Sequence, residues 1–385
     1  MSTGLQGHGR LSSSACVERW LARGLLSAAL CLGPWGFALA ASQSSSAPAP
    51  ASPSASASVP VSTSPCAVPL PVPSSPKNQP LDVQGWLERI RQATDFSTYS
   101  GTFMVSASSG VMSSSRVWHV CADGHQIERI EALTGSPRVV YRQNADVRTF
   151  MVDDRVVRID SRDMPRKFAR TKGIDAESLA AHYEVEASGH DQRVAGMESD
   201  VLQLLARDAW RFSYRIWLDR KSGLMLKWQT LAPNGRVLEQ AAFSDLEMSA
   251  PVGVAQMQAM MNDVIGYRVV SEPRLPTTLA VNGWLLPIPV DGFVLLSCEQ
   301  KQKMHPQPAR TAMVQCVYSD GLASISVFLE PFSEERHRYE GQELRLGATH
   351  TLSGRVAGDS WVTMIGEVPL ATLRRFASAI KQAPH

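Results

Sequence analysis

The stretch Arg211-Phe212-Ser213-Tyr214-Arg215-Ile216-Trp217-Leu218-Asp219 decides the fold class. Phe212, Tyr214, Ile216 and Leu218 fall on one side of an extended chain, and Arg211, Ser213, Arg215, Trp217 and Asp219 on the other. Such alternation marks a half-buried strand. The pattern recurs at 101–106, 116–121, 126–131, 138–142, 148–153 and 155–160, and again at 183–187, 200–206, 224–231 and 238–243. Ala122-Asp123-Gly124, Thr134-Gly135-Ser136-Pro137 and Val152-Asp153-Asp154 separate several of these runs as turns, and Pro233-Asn234-Gly235 marks a tight hairpin. A long antiparallel meander with one apolar face needs a cover. Only two helical stretches are at hand to supply it. One has Leu81, Trp86, Leu87 and Ile90 at helical spacing behind an Asp82 N-cap, and the other lies around 175–182. The cover is therefore thin, and a partly open apolar face is predicted.

Residues 249–280 read as a connector. Met257, Met260 and Met261 make a short, soft helix there, and Pro273 and Pro276 break up regularity. A smaller second domain follows over 281–385, with strands at 293–298, 312–319, 322–330, a pair around 344–352, and 361–367. A helix over 370–381 closes it, with Leu373, Phe376 and Ile380 on one side. The fold class is α+β.

The beginning of the chain carries an export signal. Arg10, Arg19 and Arg23 precede an uncharged apolar run, Gly24 to Ala38, and Ala38-Leu39-Ala40 is the small-x-small pattern that a signal peptidase reads. A spanning helix needs about 20 apolar residues, so this run reads as a leader over 1–40, cleaved after Ala40 or a residue later. Residues 41–80, rich in Ser, Ala and Pro, read as a flexible tether. Losing Arg10, Arg19, Arg23 and Glu18 turns 38 basic and 36 acidic residues into 35 of each. A neutral mature chain argues against nucleic acid as a partner.

No catalytic motif stands out: there is no G-x-S-x-G elbow, no H-E-x-x-H and no phosphate-binding glycine loop. His119, His125, His182, His190, His305, His337 and His350 are scattered, and no cysteine spacing fits zinc. The sequence predicts a binding protein rather than an enzyme, with no cofactor and no metal. One charge run stands out. Arg155, Arg158, Arg162, Arg166, Lys167, Arg170 and Lys172 are opposed only by Asp160 and Asp163. Guanidinium groups suit an acidic partner or a lipid headgroup, while the plainer reading is a solvated face.

Several segments resemble the MucB/RseB family of periplasmic regulators: Ile127-Glu128-Arg129, Gly135-Ser136-Pro137-Arg138, Arg193-Val194-Ala195-Gly196, Trp217-Leu218-Asp219, Ser222-Gly223-Leu224-Met225-Leu226-Lys227 and Leu238-Glu239-Gln240. Tyr318-Ser319-Asp320-Gly321-Leu322-Ala323-Ser324-Ile325-Ser326-Val327 and Ile365-Gly366-Glu367-Val368-Pro369 are similar to the family's C-terminal signature. The likeness runs in order over about 81–248 and 281–381. It departs in the long tether and at Trp284-Leu285-Leu286-Pro287-Ile288-Pro289, where the family has a tighter Trp-Leu-Pro before Gly-Phe, here Gly292-Phe293.

The resemblance implies a first domain over 81–248 that is similar to lipoprotein carriers, a curved, unclosed antiparallel sheet enclosing helices. It implies a periplasmic negative regulator that binds the periplasmic part of a membrane anti-sigma factor through its second domain. Such a regulator shields that factor from proteolysis, so restraining the sigma-E envelope-stress response. Lipopolysaccharide or lipoprotein would release it. A periplasmic lipid or lipoprotein carrier is the alternative, and homo-oligomerisation stays open. On this reading Phe103, Val105, Phe150, Val152, Tyr214, Ile216 and Leu226 line a pocket for acyl chains, or else belong to a packed core.

Cys298 and Cys316 end apolar strand runs on either side of a polar stretch with Pro306 and Pro308. Export to an oxidising compartment favours a disulfide between them over two reduced, buried thiols. Cys66 and Cys121 read as free or loosely paired.

Overall fold

The structure, a computed structural model, describes residues 83–383 apart from 123–124, 145, 162–175, 272–273, 302–312, 338–340 and 358. The leader, the tether, Cys66 and five of the seven basic-run residues (Arg162, Arg166, Lys167, Arg170 and Lys172) lie outside the described residues.

Helix α1 (Val83–Phe96) opens the described chain and buries Leu87, Ile90 and Ala93, spaced three apart on one face. Six strands follow: β1 (Tyr99–Ala107), β2 (Met112–Ala122), β3 (His125–Ala132), β4 (Arg138–Gln143), β5 (Asp146–Met151) and β6 (Val156–Ser161). Helix α2 (Ala176–His182) then leads into β7 (Tyr183–Val194), β8 (Met197–Ala206), β9 (Ser213–Asp219), β10 (Met225–Leu231) and β11 (Val237–Glu247). Helix α3 (Val254–Asn262) and β12 (Arg268–Ser271) complete this half. The twelve strands form one sheet in the order β12-β6-β5-β4-β3-β2-β1-β11-β10-β9-β8-β7. Its two edges, β12 and β7, do not pair, so the sheet is unclosed as anticipated. One pairing departs from the antiparallel expectation: β12 runs parallel to β6. The chain reaches that edge through α3, and a parallel neighbour requires such a crossover.

Hairpin chemistry explains much of the order. Ala195 and Gly196 both take positive φ (49° and 78°) between β7 and β8, the paired left-handed geometry that matches strand twist. Strands β7 and β8 continue to that turn, well past the 187 and 200 limits read from alternation. Bulges between Ala187 and Gln192 shift the register and break the alternation.

The second sheet contains β13 (Arg274–Pro276), β15 (Val294–Lys301), β16 (Val314–Ser319), β17 (Ser324–Pro331), β18 (Glu343–Leu346), β19 (Thr349–Val356) and β20 (Ser360–Gly366). Their order is β13-β15-β16-β17-β20-β19-β18. Helix α4 (Leu370–Ala379) lays Leu370, Leu373 and Phe376 on Cys316, Tyr318, Ile325, Val327, Val362 and Met364. Phe376 meets Phe293 and Tyr318 edge-on, with ring centroids 5.6 and 5.5 Å away. A two-stranded ladder joins β14 (Trp284–Leu285) to β21 (Lys381–Gln382).

Cys298 and Cys316 face each other in register across β15 and β16, with Cα atoms 4.1 Å apart, and are joined as a disulfide. Cys121, read as free or loosely paired, is disulfide-bonded too, and to neither of these. The Cys298–Cys316 link closes a separation of 18 residues. Reducing it, or replacing both cysteines by alanine, lowers stability by about 3 kcal/mol on the chain-entropy account, and a urea melt with and without reductant reads the loss.

Candidate functional site

Helices α1 and α2 cover one face of the twelve-stranded sheet, hereafter the inner face. Phe103, Val105 and Leu226 lie there in a cluster with Ala93, Tyr99, Val117 and Phe243. Phe103 stands 5.2 Å from Trp228 and 5.0 Å from Phe243, ring centre to ring centre. Tyr214 and Ile216 lie in the adjoining cluster with Leu87, Ile90, Leu179, Tyr183, Leu202 and Leu204, and Trp228 packs against both groups. These five are buried among side chains. The other two predicted pocket residues are elsewhere. Phe150 pairs with Val139, and that row runs through Glu131 and Arg116 to Thr102, the neighbour of Phe103 on the opposite face. Phe150 accordingly packs under α3, with Tyr141, Val157, Met257 and Met261. Val152 is exposed in the turn after β5. The structure thus brings together five of the seven.

Of the basic run, Arg155 sits exposed in that same turn at φ 46°, and its carbonyl accepts the Arg268 N–H at 2.8 Å. Arg158 is half-buried on β6.

The most heavily built polar site lies between the two sheets, and reading the sequence missed it. Arg211, which the alternation places on a strand opposite Phe212 and Tyr214, precedes β9 in a loop, and its side chain is fully buried. Its Nε lies 3.1 Å from Asp208 Oδ2 and its Nη1 3.4 Å from Asp320 Oδ2, while Nη2 donates to the Asp291 carbonyl. Its guanidinium sits over Phe293, 5.3 Å from the ring centre. Asp320, in the turn between β16 and β17, accepts the Tyr183 hydroxyl at 2.9 Å. Its Oδ1 accepts the N–H groups of Leu322 and Ala323 at 3.0 and 2.8 Å. Burial raises the Asp320 carboxyl above its ordinary value, against the pull of Arg211 and the two N–H groups. Every partner donates, so the group is held as a carboxylate. Burial and Asp320 together push the Tyr183 phenol well above its ordinary value and keep it a donor. Burial, then Arg211, lowers His182.

Close approach reinforces the junction. Gly292 has φ +84°, and a Cβ there would collide with the His182 imidazole. Thr372, at the start of α4, donates to the Trp210 carbonyl at 2.6 Å. A second contact lies at the β18–β19 turn, where Ala348 packs with Phe212 and Leu238. A Cβ on Gly347 (φ +58°) would stand 2.9 Å from Ala107 Cβ.

Residues 82–261 match the MucB/RseB N-terminal domain, and 278–381 match the MucB/RseB C-terminal domain. The chain belongs to the MucB/RseB family. It is 33% identical over 315 residues to the sigma factor AlgU regulatory protein MucB of Pseudomonas aeruginosa, covering 80% of this chain and 93% of that one. It is 25% identical over 302 residues to the sigma-E factor regulatory protein RseB of Salmonella typhimurium, covering 77% and 89%. The solved structure of MucB in complex with MucA(peri) superposes with a TM-score of 0.59 at 28% identity, covering 79% of this chain and all of that one. A second, a Pseudomonas aeruginosa MucA/MucB complex, gives 0.61 at 27%.

Within the MucB/RseB frame, Tyr183, Asp208 and Arg211 belong to the stretch matched by the N-terminal domain, and Asp291, Asp320 and Leu322 to that of the C-terminal domain. The buried charges therefore hold one MucB/RseB domain against the other. His350 adds a titratable group to the second contact, 5.9 Å from the Phe212 ring centre. Its Nδ1 donates to the Val368 carbonyl at 2.6 Å, which fixes the neutral tautomer. Burial lowers its pKa below the ordinary 6.5. A group depressed on folding contributes stability that is complete above 6.5 and is lost as pH falls through the folded value. Urea midpoints therefore rise with pH across that window, and His350→Asn, which keeps a donor near Nδ1, flattens the dependence.

Proposed function

We propose that this chain is a periplasmic regulator that binds the periplasmic part of a membrane anti-sigma factor and protects it from proteolysis, so restraining an envelope-stress sigma factor. The observation that carries this reading is its likeness, through both domains, to MucB solved in complex with MucA(peri). The second domain holds most of the affinity for the partner, and the first responds to an acylated lipid such as lipopolysaccharide or lipoprotein. The inner-face clusters around Phe103, Val105, Tyr214, Ile216 and Leu226 supply the apolar surface for that response. The work is done by binding alone: a lipid with different affinities for the free and partner-bound regulator shifts the equilibrium by that difference.

The test is protection of the cognate anti-sigma periplasmic fragment from its first protease by the purified mature chain. Protection falls when lipopolysaccharide is added. A chain that binds lipid but neither captures nor protects the fragment is a carrier, and the regulator reading is then wrong.

A further inference from the structure

The second domain reaches the inner face of the first through a small feature, the turn between β16 and β17. Leu322, at the tip of that turn, is buried in the same cluster as Leu87 and Ile90 of α1, Leu179 of α2, and Tyr214 and Ile216 of β9. Val294 and Leu296 of β15 pack beside it. A residue of one domain thus completes the apolar layer beneath the other domain's helices. Asp320 shapes this turn through the Leu322 and Ala323 N–H groups and also ties it to Tyr183 and Arg211. One carboxylate therefore sets both the position of Leu322 and its attachment.

We infer that this turn is a latch: Leu322 occupies the place on the inner face that an acyl chain would take, and a chain enters as the turn withdraws. The latch presupposes the lipid-released regulator proposed above and supplies the route from lipid to partner. Withdrawing the turn separates Asp320 from Arg211 and Tyr183 and so loosens the second domain on the first, with the Thr372–Trp210 hydrogen bond and the β18–β19 turn among its remaining contacts.

The energetics suit a reversible element. An acyl chain replaces the buried leucine in kind, so little apolar burial is lost in the exchange. The ion pair defines the closed geometry more than it stabilises it, because desolvation offsets most of the attraction and both ions regain water on opening. A ligand that enters only the open form binds with an apparent affinity reduced by the open fraction. Weakening the closed form therefore tightens lipid binding.

The experiment uses cis-parinaric acid as the acyl probe on the full mature chain, with fluorescence titration and amide hydrogen exchange. Saturating the wild-type protein with probe raises exchange at Leu322 and Ala323, and Leu322→Ala binds the probe about thirtyfold more tightly, as expected when a buried leucine's contacts leave the closed form. Unchanged exchange at these two amides under saturating probe overturns the latch, as does unchanged affinity in a folded Leu322→Ala. A chain that never binds the probe overturns it as well. If Leu322→Ala does not fold, the wild-type exchange decides alone. Release of the anti-sigma fragment by lipopolysaccharide is measured in parallel. Release that persists without turn exchange leaves the regulator standing and removes only the latch.

Discussion

Asp320→Ala lowers the unfolding free energy by about 3–5 kcal/mol, the scale for stripping one partner from a buried ion pair. In a chain of this size that is a fall in Tm of about 5 °C. The loss is large because Arg211 keeps its place with no exposed surface and only Asp208 left as a counter-charge. The Leu322 and Ala323 N–H groups and the Tyr183 hydroxyl lose their acceptor at the same time. Asp320→Asn keeps an oxygen for the two N–H groups but sets an amide NH2 in place of Oδ2 against the Tyr183 hydroxyl and Arg211, so it spares only the turn cap and costs about 1 kcal/mol less than Asp320→Ala. Chemical denaturation of the three proteins checks the order. If Asp320→Asn costs as much as Asp320→Ala, the charge on Asp320 dominates and the turn-capping role assigned here is wrong.

Phe376→Ala costs a similar 3–5 kcal/mol, for a different reason: a buried aromatic leaves a cavity its neighbours do not close. Phe376 has no exposed surface and touches both Phe293 and Tyr318, so α4 loses its anchor on the second sheet. Because Thr372 of the same helix donates to Trp210, the loosened helix also weakens the junction. Partner binding by Phe376→Ala therefore falls along with Tm, whereas Phe376→Leu retains most of both. A Phe376→Ala protein as stable as wild type would mean that α4 does not close this core.

Much of the fold was legible because its causes are local. The alternation at Tyr214, Ile216 and Leu218 puts all three on the inner face, and Pro233-Asn234-Gly235 turns between β10 and β11 with Gly235 at φ 78°. The helical spacing of Leu87 and Ile90 has the same directness. Misreadings arose where one face had to be followed across many strands. Phe103 and Phe150 each sit in an alternating run, but which run's odd residues share a face with another's depends on register. Register is set by pairing and bulges, not by the runs themselves. Trp217 shows the opposite limit. It lies on the outer face as read, yet is buried there, because Lys227 stacks 4.3 Å from its ring centre and Gln192 accepts its indole N–H at 2.6 Å.

By itself the sequence determined strands, turns, two sheets' worth of apolar faces and the family, since each rests on neighbouring residues or on ordered motifs. The tertiary structure alone decided that Arg211 and Asp320, 109 positions apart in the numbering, meet inside the protein. It also decided that Leu322 completes a cluster belonging to the other domain. An arginine in a loop and an aspartate in a turn look solvated in sequence, because both side chains are at home in water. Only when two surfaces close over them does water leave, and which surfaces close depends on long-range packing that no short window of sequence contains.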